Sequence, residues 1–340
     1  MIIFLLIIIF SLLINLLLKK SYIPGFIVVI FIGFFSSSYL INDSFFSIDN
    51  YSGYICITAL VIIFLRASLQ IQLSLTSKSN LIIYLLAIIP GFLEAICIAI
   101  LSYFITPLNF LEALMLGFIM TAVSPAVIVP MMIDLQKRKI GTNKKIPSII
   151  LAAASLDDII SILMFSILLT IYETSYIDNY SIAINTSLLL ILFILFRFFR
   201  RKYKNMINNF SKILSYMWLF ASVLLFIFIG SQIDLNIAKQ SGFIGCIIIF
   251  FGIFIRSISI LICLIKTPLL FREKLFIMVS LWPKATVQAA LGAIPLMLMI
   301  NLGQNTTSGY WILSLSTLSI IITAPLGAFM ISWSSKKWLT

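Results

Sequence analysis

The stretch Thr121–Pro130, TAVSPAVIVP, interrupts an otherwise continuous apolar segment with two prolines and a serine before the first of them. A proline lacks the backbone N–H of a helix and disfavours helical geometry in the residue before it. A second interrupted segment, Leu281–Pro295, reads LWPKATVQAALGAIP and combines Pro283 and Pro295 with Gly292. The two stretches therefore predict two broken helices, each with backbone carbonyl groups freed from the helix.

The composition around these breaks predicts an all-α, polytopic membrane protein with short loops. Apolar residues make up 62% of the 340 residues and charged residues only 10%, against roughly a quarter in soluble domains. Apolar runs of about 20 residues, enough to cross a bilayer as helix, recur along the whole chain. Eleven candidate spans follow: 2–18, 22–41, 51–66, 80–104, 112–134, 148–171, 182–199, 213–231, 241–265, 275–300 and 309–332.

The charges between the spans alternate in a way that predicts topology. Loops after odd-numbered spans hold 20 of the 23 lysine and arginine residues, whereas even-numbered loops hold acidic residues and Lys239. Because cytoplasmic loops are enriched in basic residues, the N-terminus is expected outside and the C-terminus in the cytoplasm. The net charge of +12 is thereby explained by membrane insertion, and nucleic acid is not expected as a partner.

Two adjacent acids, Asp157 and Asp158, lie in the middle of the sixth span. Ionisable residues inside a membrane usually face the protein interior and mark ion pathways or buried pairs. Consecutive helix positions point about 100° apart, so one acid can face an ion while the other meets a neighbouring helix. A carboxylate can hold either a hard cation or a proton. Competition for such a site is the minimal chemistry of an antiporter.

Four further polar residues in the apolar spans are expected to have structural roles. Glu94 and Arg256 are expected to form a buried ion pair that links two helices, because arginine stays charged and needs an acid. Lys284, with Thr286 nearby, would offset the negative end of a half-helix at the second break. The four cysteines show no paired spacing and the chain has no histidine, so no cofactor or structural metal is expected.

The spans form two triplets with the same plan. Spans four to six and nine to eleven each place a broken helix between two continuous ones, and the triplets start five crossings apart. An odd offset inverts the second triplet relative to the first. This arrangement predicts an inverted-repeat transporter fold in which two broken helices cross in mid-membrane.

Several segments, in order, resemble the cation:proton antiporter superfamily, in particular the NHA-type sodium/proton exchangers (solute carrier family 9, subfamily B). They read PGFLEA, AVSPAVIVPMM, AAASLDDI, FIRS and WPKATVQAALGA, and the likeness covers roughly 80–332. The resemblance implies a six-helix core that slides, elevator-like, against a second domain used for homodimer contacts. It implies Asp158 as the ion-binding carboxylate with Asp157 as its neighbour, a Glu94–Arg256 pair, and Lys284 and Thr286 at the second break.

The predicted organisation has one departure from this family. About two spans that usually precede the segment matching 213–231 are missing, and they belong to the dimer or panel domain rather than to the core. The expected divisions are an N-terminal panel region 1–79, a first core triplet 80–172, a shortened panel and linker region 173–240, a second core triplet 241–332 and a cytoplasmic tail 333–340.

The resulting hypothesis is a secondary transporter, not an enzyme, that exchanges monovalent cations for protons by alternating access. A sodium or lithium ion would bind Asp158, helped by oxygens of Asp157, Ser155, Thr121 or Ser124, and protons would displace it. Because Arg256 keeps its proton, about one proton per cation is expected.

Three alternatives remain. A sodium-coupled symporter of related fold would need a larger polar cavity. A non-transporting scaffold would be consistent with the missing spans. An intramembrane aspartyl protease is disfavoured, because its two aspartates come from separate helices.

Overall fold

In the computed structural model, every regular element is a helix across the described residues, which are 2–18, 24–37, 54–56, 58–63, 65, 77–173 and 204–339. The helices with defined bounds are α1 (Ile2–Leu17), α2 (Gly25–Phe35), α3 (Ser77–Ile105), α4 (Phe110–Thr121), α5 (Pro125–Lys137), α6 (Ile146–Glu173), α7 (Lys204–Ser231), α8 (Leu235–Cys263), α9 (Phe271–Ser280), α10 (Thr286–Gly292), α11 (Ile294–Asn301) and α12 (Thr307–Trp338).

The helices support the predicted all-α membrane class but not the exact number of crossings. Among the described residues, six segments are long and apolar enough to cross a bilayer: 81–105, 110–137, 146–173, 213–231, 235–263 and 307–338. Shorter apolar helices lie at 6–15, 25–35, 54–63 and 286–301. The expected span 182–199 lies outside the described residues, and 51–66 is described only in part. The count of eleven therefore stays a prediction.

Two helix boundaries differ from those expected. Helix α7 begins at Lys204, within the stretch expected to be a basic loop, because lysine is compatible with helix. Helix α8 begins at Leu235, where Asp234 caps it by accepting hydrogen bonds from the backbone N–H groups of Asn236 and Ile237.

Both proline-containing stretches break their helices. Residues 122–124 separate α4 from α5, and residues 281–285 separate α9 from α10. Pro125 occupies the first turn of α5, where its missing N–H costs nothing. Pro130 lies inside α5, so the expectation that both prolines of the first stretch interrupt the helix was wrong for the second of them. Membrane helices tolerate such a proline when neighbouring groups satisfy the freed carbonyl.

The helices pack in two groups. Helix α3 contacts α4, α6 and α8, while α12 contacts α8 to α11 and also α4 and α5. These helices enclose the two breaks. Helices α1, α2 and α7 contact one another, and α7 reaches the first group through α10.

The α2–α7 contact depends on glycine. Gly33 lies against the backbone carbonyl of Ile227, and Gly230 lies against the carbonyl of Ile30. Any side chain at either glycine would overlap that backbone, so both are needed for the close approach. The rings of Phe26 and Phe226 stack beside this crossing with centroids 4.9 Å apart.

Candidate functional site at the crossing of the two breaks

The two helix breaks contact each other through their backbones. The N–H of Ser124 in the first break donates to the carbonyl of Pro283 in the second, at 2.8 Å. The N–H of Lys284 donates to the Thr323 hydroxyl of α12 at 2.9 Å. Unwound backbone inside a membrane is stable only where such bonds satisfy its polar groups, so each break supports the other.

The carbonyl end of α4 is met by two cations. The carbonyl of Thr121 accepts from Lys284 Nζ at 2.7 Å and from Arg256 Nη1 at 2.9 Å. The C-terminal end of a helix carries partial negative charge, which both cations offset. Lys284 belongs to the second break, as expected, but the half-helix whose negative end it meets is α4 at the first break.

Four ionisable side chains form one buried network. Arg256 donates from Nη1 to Glu94 Oε2 at 2.5 Å and from Nη2 to Asp157 Oδ2 at 2.7 Å. Lys284 Nζ donates to the same Glu94 oxygen at 2.9 Å. The structure brings the expected partners Glu94 and Arg256 together, and it adds Asp157 and Lys284, which the sequence argument had treated separately. Each acid in this network faces a cation.

Asp158 lies outside this network. Its side chain is 0% exposed, and neither carboxylate oxygen has a hydrogen-bond partner. An isolated buried carboxylate is unfavourable unless a proton or a cation neutralises it. The adjacent acids thus have different surroundings, as their angular separation on the helix requires.

Close packing around the acids depends on two glycines. A Cβ atom at Gly91 would lie 2.6 Å from Asp157 Oδ1, so the bare backbone of α3 leaves room for this carboxylate. A Cβ atom at Gly252 would lie 3.6 Å from Glu94 Cγ and closer still to Ile98. These glycines let α6 and α8 approach α3 at the level of the ion network.

The predicted supporting hydroxyls have different environments. Ser155 donates to the Leu151 carbonyl at 2.9 Å, and Thr121 Oγ1 lies 2.9 Å from the Ser161 hydroxyl. The Ser124 hydroxyl is buried in the first break without a partner, as is Thr286 Oγ1 at the start of α10. A hydroxyl that donates to a carbonyl still has lone pairs for a cation, but Ser124 has its full capacity free.

The crossing contains a polar side chain that the sequence argument missed. Gln288 Nε2 donates to the carbonyls of Ile119 and Ala122 at 3.1 and 2.6 Å. A signal was present, because an amide inside an apolar span needs a partner. Thr323 and Ser161 were missed for a different reason, since hydroxyls in membrane helices commonly bond their own backbone and so stand out less.

Among the described residues, no group of three or more histidine, cysteine, aspartate or glutamate side chains is arranged to hold a metal ion.

Comparison with known proteins places the chain in a family. Residues 5–214 and 200–337 match the family model described as "Sodium/hydrogen exchanger, transmembrane". The chain is 27% identical over 357 residues to sodium/hydrogen exchanger 9B1 of Macaca fascicularis, covering 86% of this chain and 68% of that protein. It is 29% identical over 336 residues to sodium/hydrogen exchanger 9B2 of Bison bison bison, covering 80% and 62%.

The fold also matches a solved structure. The sodium proton antiporter MjNhaP1 from Methanocaldococcus jannaschii superimposes with a TM-score of 0.78, covering 98% of this chain and 97% of that one. The sequence identity is 16%, so this likeness concerns the fold alone. The resemblance inferred from the sequence motifs is confirmed by these comparisons, and the chain belongs to the sodium/hydrogen exchanger family, a family of transporters rather than enzymes.

Proposed function

We propose that this protein exchanges a monovalent cation, sodium or lithium, for protons across a membrane, with Asp158 as the carboxylate that binds either ion. The observation that carries the proposal is the contrast between two neighbouring acids. Asp157 is held by Arg256 at 2.7 Å, whereas Asp158 is fully buried with both oxygens free. A carboxylate in that position must take up a proton or a cation, and competition between the two couples their movements.

The charge balance of the site supports an exchange of about one proton per cation. Three acids, Glu94, Asp157 and Asp158, and two bases, Arg256 and Lys284, meet at the crossing. With Asp158 empty, these five groups carry one net negative charge. One sodium ion or one proton on Asp158 neutralises it. If Lys284 stays protonated through the cycle, the site has no net charge in either loaded state. The membrane potential then favours neither loaded state.

The ligands of the bound cation would come from the first break, the end of α4 and α6. The free hydroxyl of Ser124 is the first candidate beside Asp158. Oxygens of Asp157, Ser155 and Thr121 are the others. Because most of these oxygens are neutral, the ion would be held chiefly by one carboxylate, and a single proton would suffice to release it.

The two groups of helices suggest how access could alternate. The group that encloses the crossing meets α7 through the half-helix α10, so sliding of one group along the other would carry Asp158 between the two faces of the membrane. We further propose a homodimer formed through the α1, α2 and α7 group, with the N-terminus outside and the C-terminus in the cytoplasm. The lipid bilayer covers the remaining apolar surface.

Proton flux in proteoliposomes tests the function. An imposed pH gradient is followed with an internal pH dye while sodium, lithium or potassium chloride is added, for the wild type and for Asp158→Asn. Asp134→Asn is the matched control, because Asp134 pairs with Arg138 on the exposed end of α5. Cation-triggered proton movement is expected in the wild type and the control, and only background movement in Asp158→Asn.

Two results would contradict the proposal. A folded, inserted wild-type protein without any cation-triggered flux would favour a non-transporting scaffold. Full flux in Asp158→Asn would keep the antiport but place its ion site elsewhere.

A further inference from the structure

Helix α12 holds the second break at two points one helical turn apart. The Thr323 hydroxyl accepts a hydrogen bond from the backbone N–H of Lys284 at 2.9 Å. One turn further along α12, Gly327 leaves room for the Pro283 ring, which any Cβ atom at that position would overlap. Thr323 is 0% exposed, so bulk water does not compete for its hydrogen bond. The second break is therefore fixed to α12 by one polar contact and one packing contact.

The N–H of Lys284 belongs to a peptide group that is held on both sides. The carbonyl of Pro283 and the N–H of Lys284 are the two ends of one peptide, and the described residues contain no cis peptide bond. In a planar trans peptide these two groups point in opposite directions. The carbonyl accepts from the N–H of Ser124 in the first break at 2.8 Å, while the N–H donates to Thr323. This one peptide thus connects α12 to both breaks.

The side chain of Lys284 starts from the same peptide. Its Nζ donates to Glu94 Oε2 at 2.9 Å and to the carbonyl of Thr121 at 2.7 Å. Both bonds require the backbone of Lys284 to keep its place, because a displaced backbone would carry the side chain with it. Glu94 would then depend on Arg256, which also holds Asp157. The place of this peptide therefore decides how the charges of the buried network are shared.

We infer that Thr323 is a positioning residue whose hydroxyl fixes the Pro283–Lys284 peptide and thereby keeps the Lys284 ammonium on Glu94 and on the end of α4. The inference rests on the proposed function, because the charge balance of that exchange needs both bases at the crossing. Without the hydroxyl, the buried N–H of Lys284 would lose its acceptor, which is unfavourable. Rotation of the peptide toward another acceptor would turn the Pro283 carbonyl away from Ser124.

The remaining contacts make this role separable from folding. The Pro283 ring still packs against Gly327 when the hydroxyl of Thr323 is removed. The indole Nε1 of Trp282, in the same break, still donates to the Ser257 hydroxyl of α8 at 2.9 Å. Loss of the hydroxyl is therefore expected to loosen one peptide rather than to detach the second break from its neighbours.

The test compares variants of Thr323 that separate acceptor strength from volume. Thr323→Val keeps the branched shape without the acceptor, Thr323→Ser keeps the hydroxyl without the methyl group, and Thr323→Cys offers a thiol, which is a weak acceptor. In the proteoliposome assay, the rate of cation-triggered proton flux should fall about three- to tenfold in Thr323→Val, from the loss of one hydrogen bond. The rate should stay near that of the wild type in Thr323→Ser and lie between the two in Thr323→Cys.

Thr317→Val is the matched control in the same helix. The Thr317 hydroxyl is also buried, but it donates to the Leu313 carbonyl of α12 itself at 2.8 Å, so its loss leaves the second break in place. The flux of Thr317→Val should equal that of the wild type. A role of Thr323 in packing alone would give a normal Thr323→Val and a defective Thr323→Ser. That pattern, or an equal loss in both variants, would overturn the inference. If Thr323→Val does not insert, a Thr323→Cys flux at or above that of Thr323→Ser would overturn it.

Hydrogen–deuterium exchange tests the positioning role without transport. The amide of Lys284 is itself the donor to Thr323, and the amide of Ser124 donates to the other side of the same peptide. Amides of residues 281–286 and 122–126 should exchange faster in Thr323→Val than in the wild type, Thr323→Ser or Thr317→Val. If the wild type shows no cation-triggered flux, the proposed function fails, while faster exchange in Thr323→Val would still support the positioning role. Unchanged exchange in these segments would overturn that role even if the flux is altered.

Discussion

Electroneutral exchange is the prediction that depends most directly on the geometry of the site. The perturbation is a membrane potential of about 100 mV of either sign, applied with potassium and valinomycin. With the three acids ionised and both bases protonated, the five ionisable groups at the crossing carry one net negative charge when Asp158 is empty. One cation or one proton cancels this charge, so the membrane potential should not act on either loaded state.

The size of the shift in the sodium ratio distinguishes one-for-one from two-for-one exchange. Moving one net charge through 100 mV is worth about 2.3 kcal/mol, which corresponds to a change of about 50-fold in the sodium ratio at equilibrium. One-for-one exchange should show no change. If Lys284 released its proton when the cation binds, two protons would move per cation and the full 50-fold shift would appear.

The assay is a null-point measurement in proteoliposomes. A pH difference of about one unit balances a sodium ratio of about tenfold for one-for-one exchange, and of about a hundredfold for two-for-one exchange without potential. At the tenfold ratio, the internal pH dye should show no net flux at either sign of the potential. Asp134→Asn serves as the control for loss of a carboxylate outside the site, since its partner Arg138 is exposed.

One result would refute the charge-balance argument. A null point near the hundredfold ratio that moves with the potential would show that a second group titrates during the cycle. Lys284 would then be the first candidate, because it is the one buried base at the crossing that can lose a proton.

Three further predictions test the surroundings of the site. Gly91→Ala places a Cβ atom 2.6 Å from Asp157 Oδ1, so the rate of exchange should fall at least about tenfold. Gly245→Ala is the control and should retain activity, because Gly245 faces only leucine side chains. Equal activity of the two variants would contradict the role of Gly91. Because protons compete with sodium for Asp158, the sodium KM should rise by up to about tenfold for each unit that the pH falls, and a KM independent of pH would exclude a shared site. Gly230→Ala should lower the free energy of unfolding of the detergent-solubilised protein by about 1–3 kcal/mol, because the added methyl group overlaps the backbone of α2. An unchanged melting temperature would show that the α2–α7 contact can relax.

Local chemistry explains why much of this protein was predictable from its sequence. A proline lacks a backbone N–H wherever it occurs, so the breaks before Pro125 and at Pro283 could be located without knowing the helix packing. Acids in apolar segments are costly in any membrane fold, which singled out Asp157, Asp158 and Glu94. The order of several motif segments was enough to indicate the exchanger family.

The tertiary structure alone decided which acid is paired and which is free. Asp157 meets Arg256 across 99 residues of sequence, and Lys284 meets Glu94 across 190. Such contacts depend on the angles and depths at which helices cross, and a shift of one helix position turns a side chain by about 100°. The residue spacing alone shows two carboxylates side by side, and the family resemblance implied Asp158 as the ion-binding one. Only helix packing gives Asp157 a cation partner and leaves Asp158 without one.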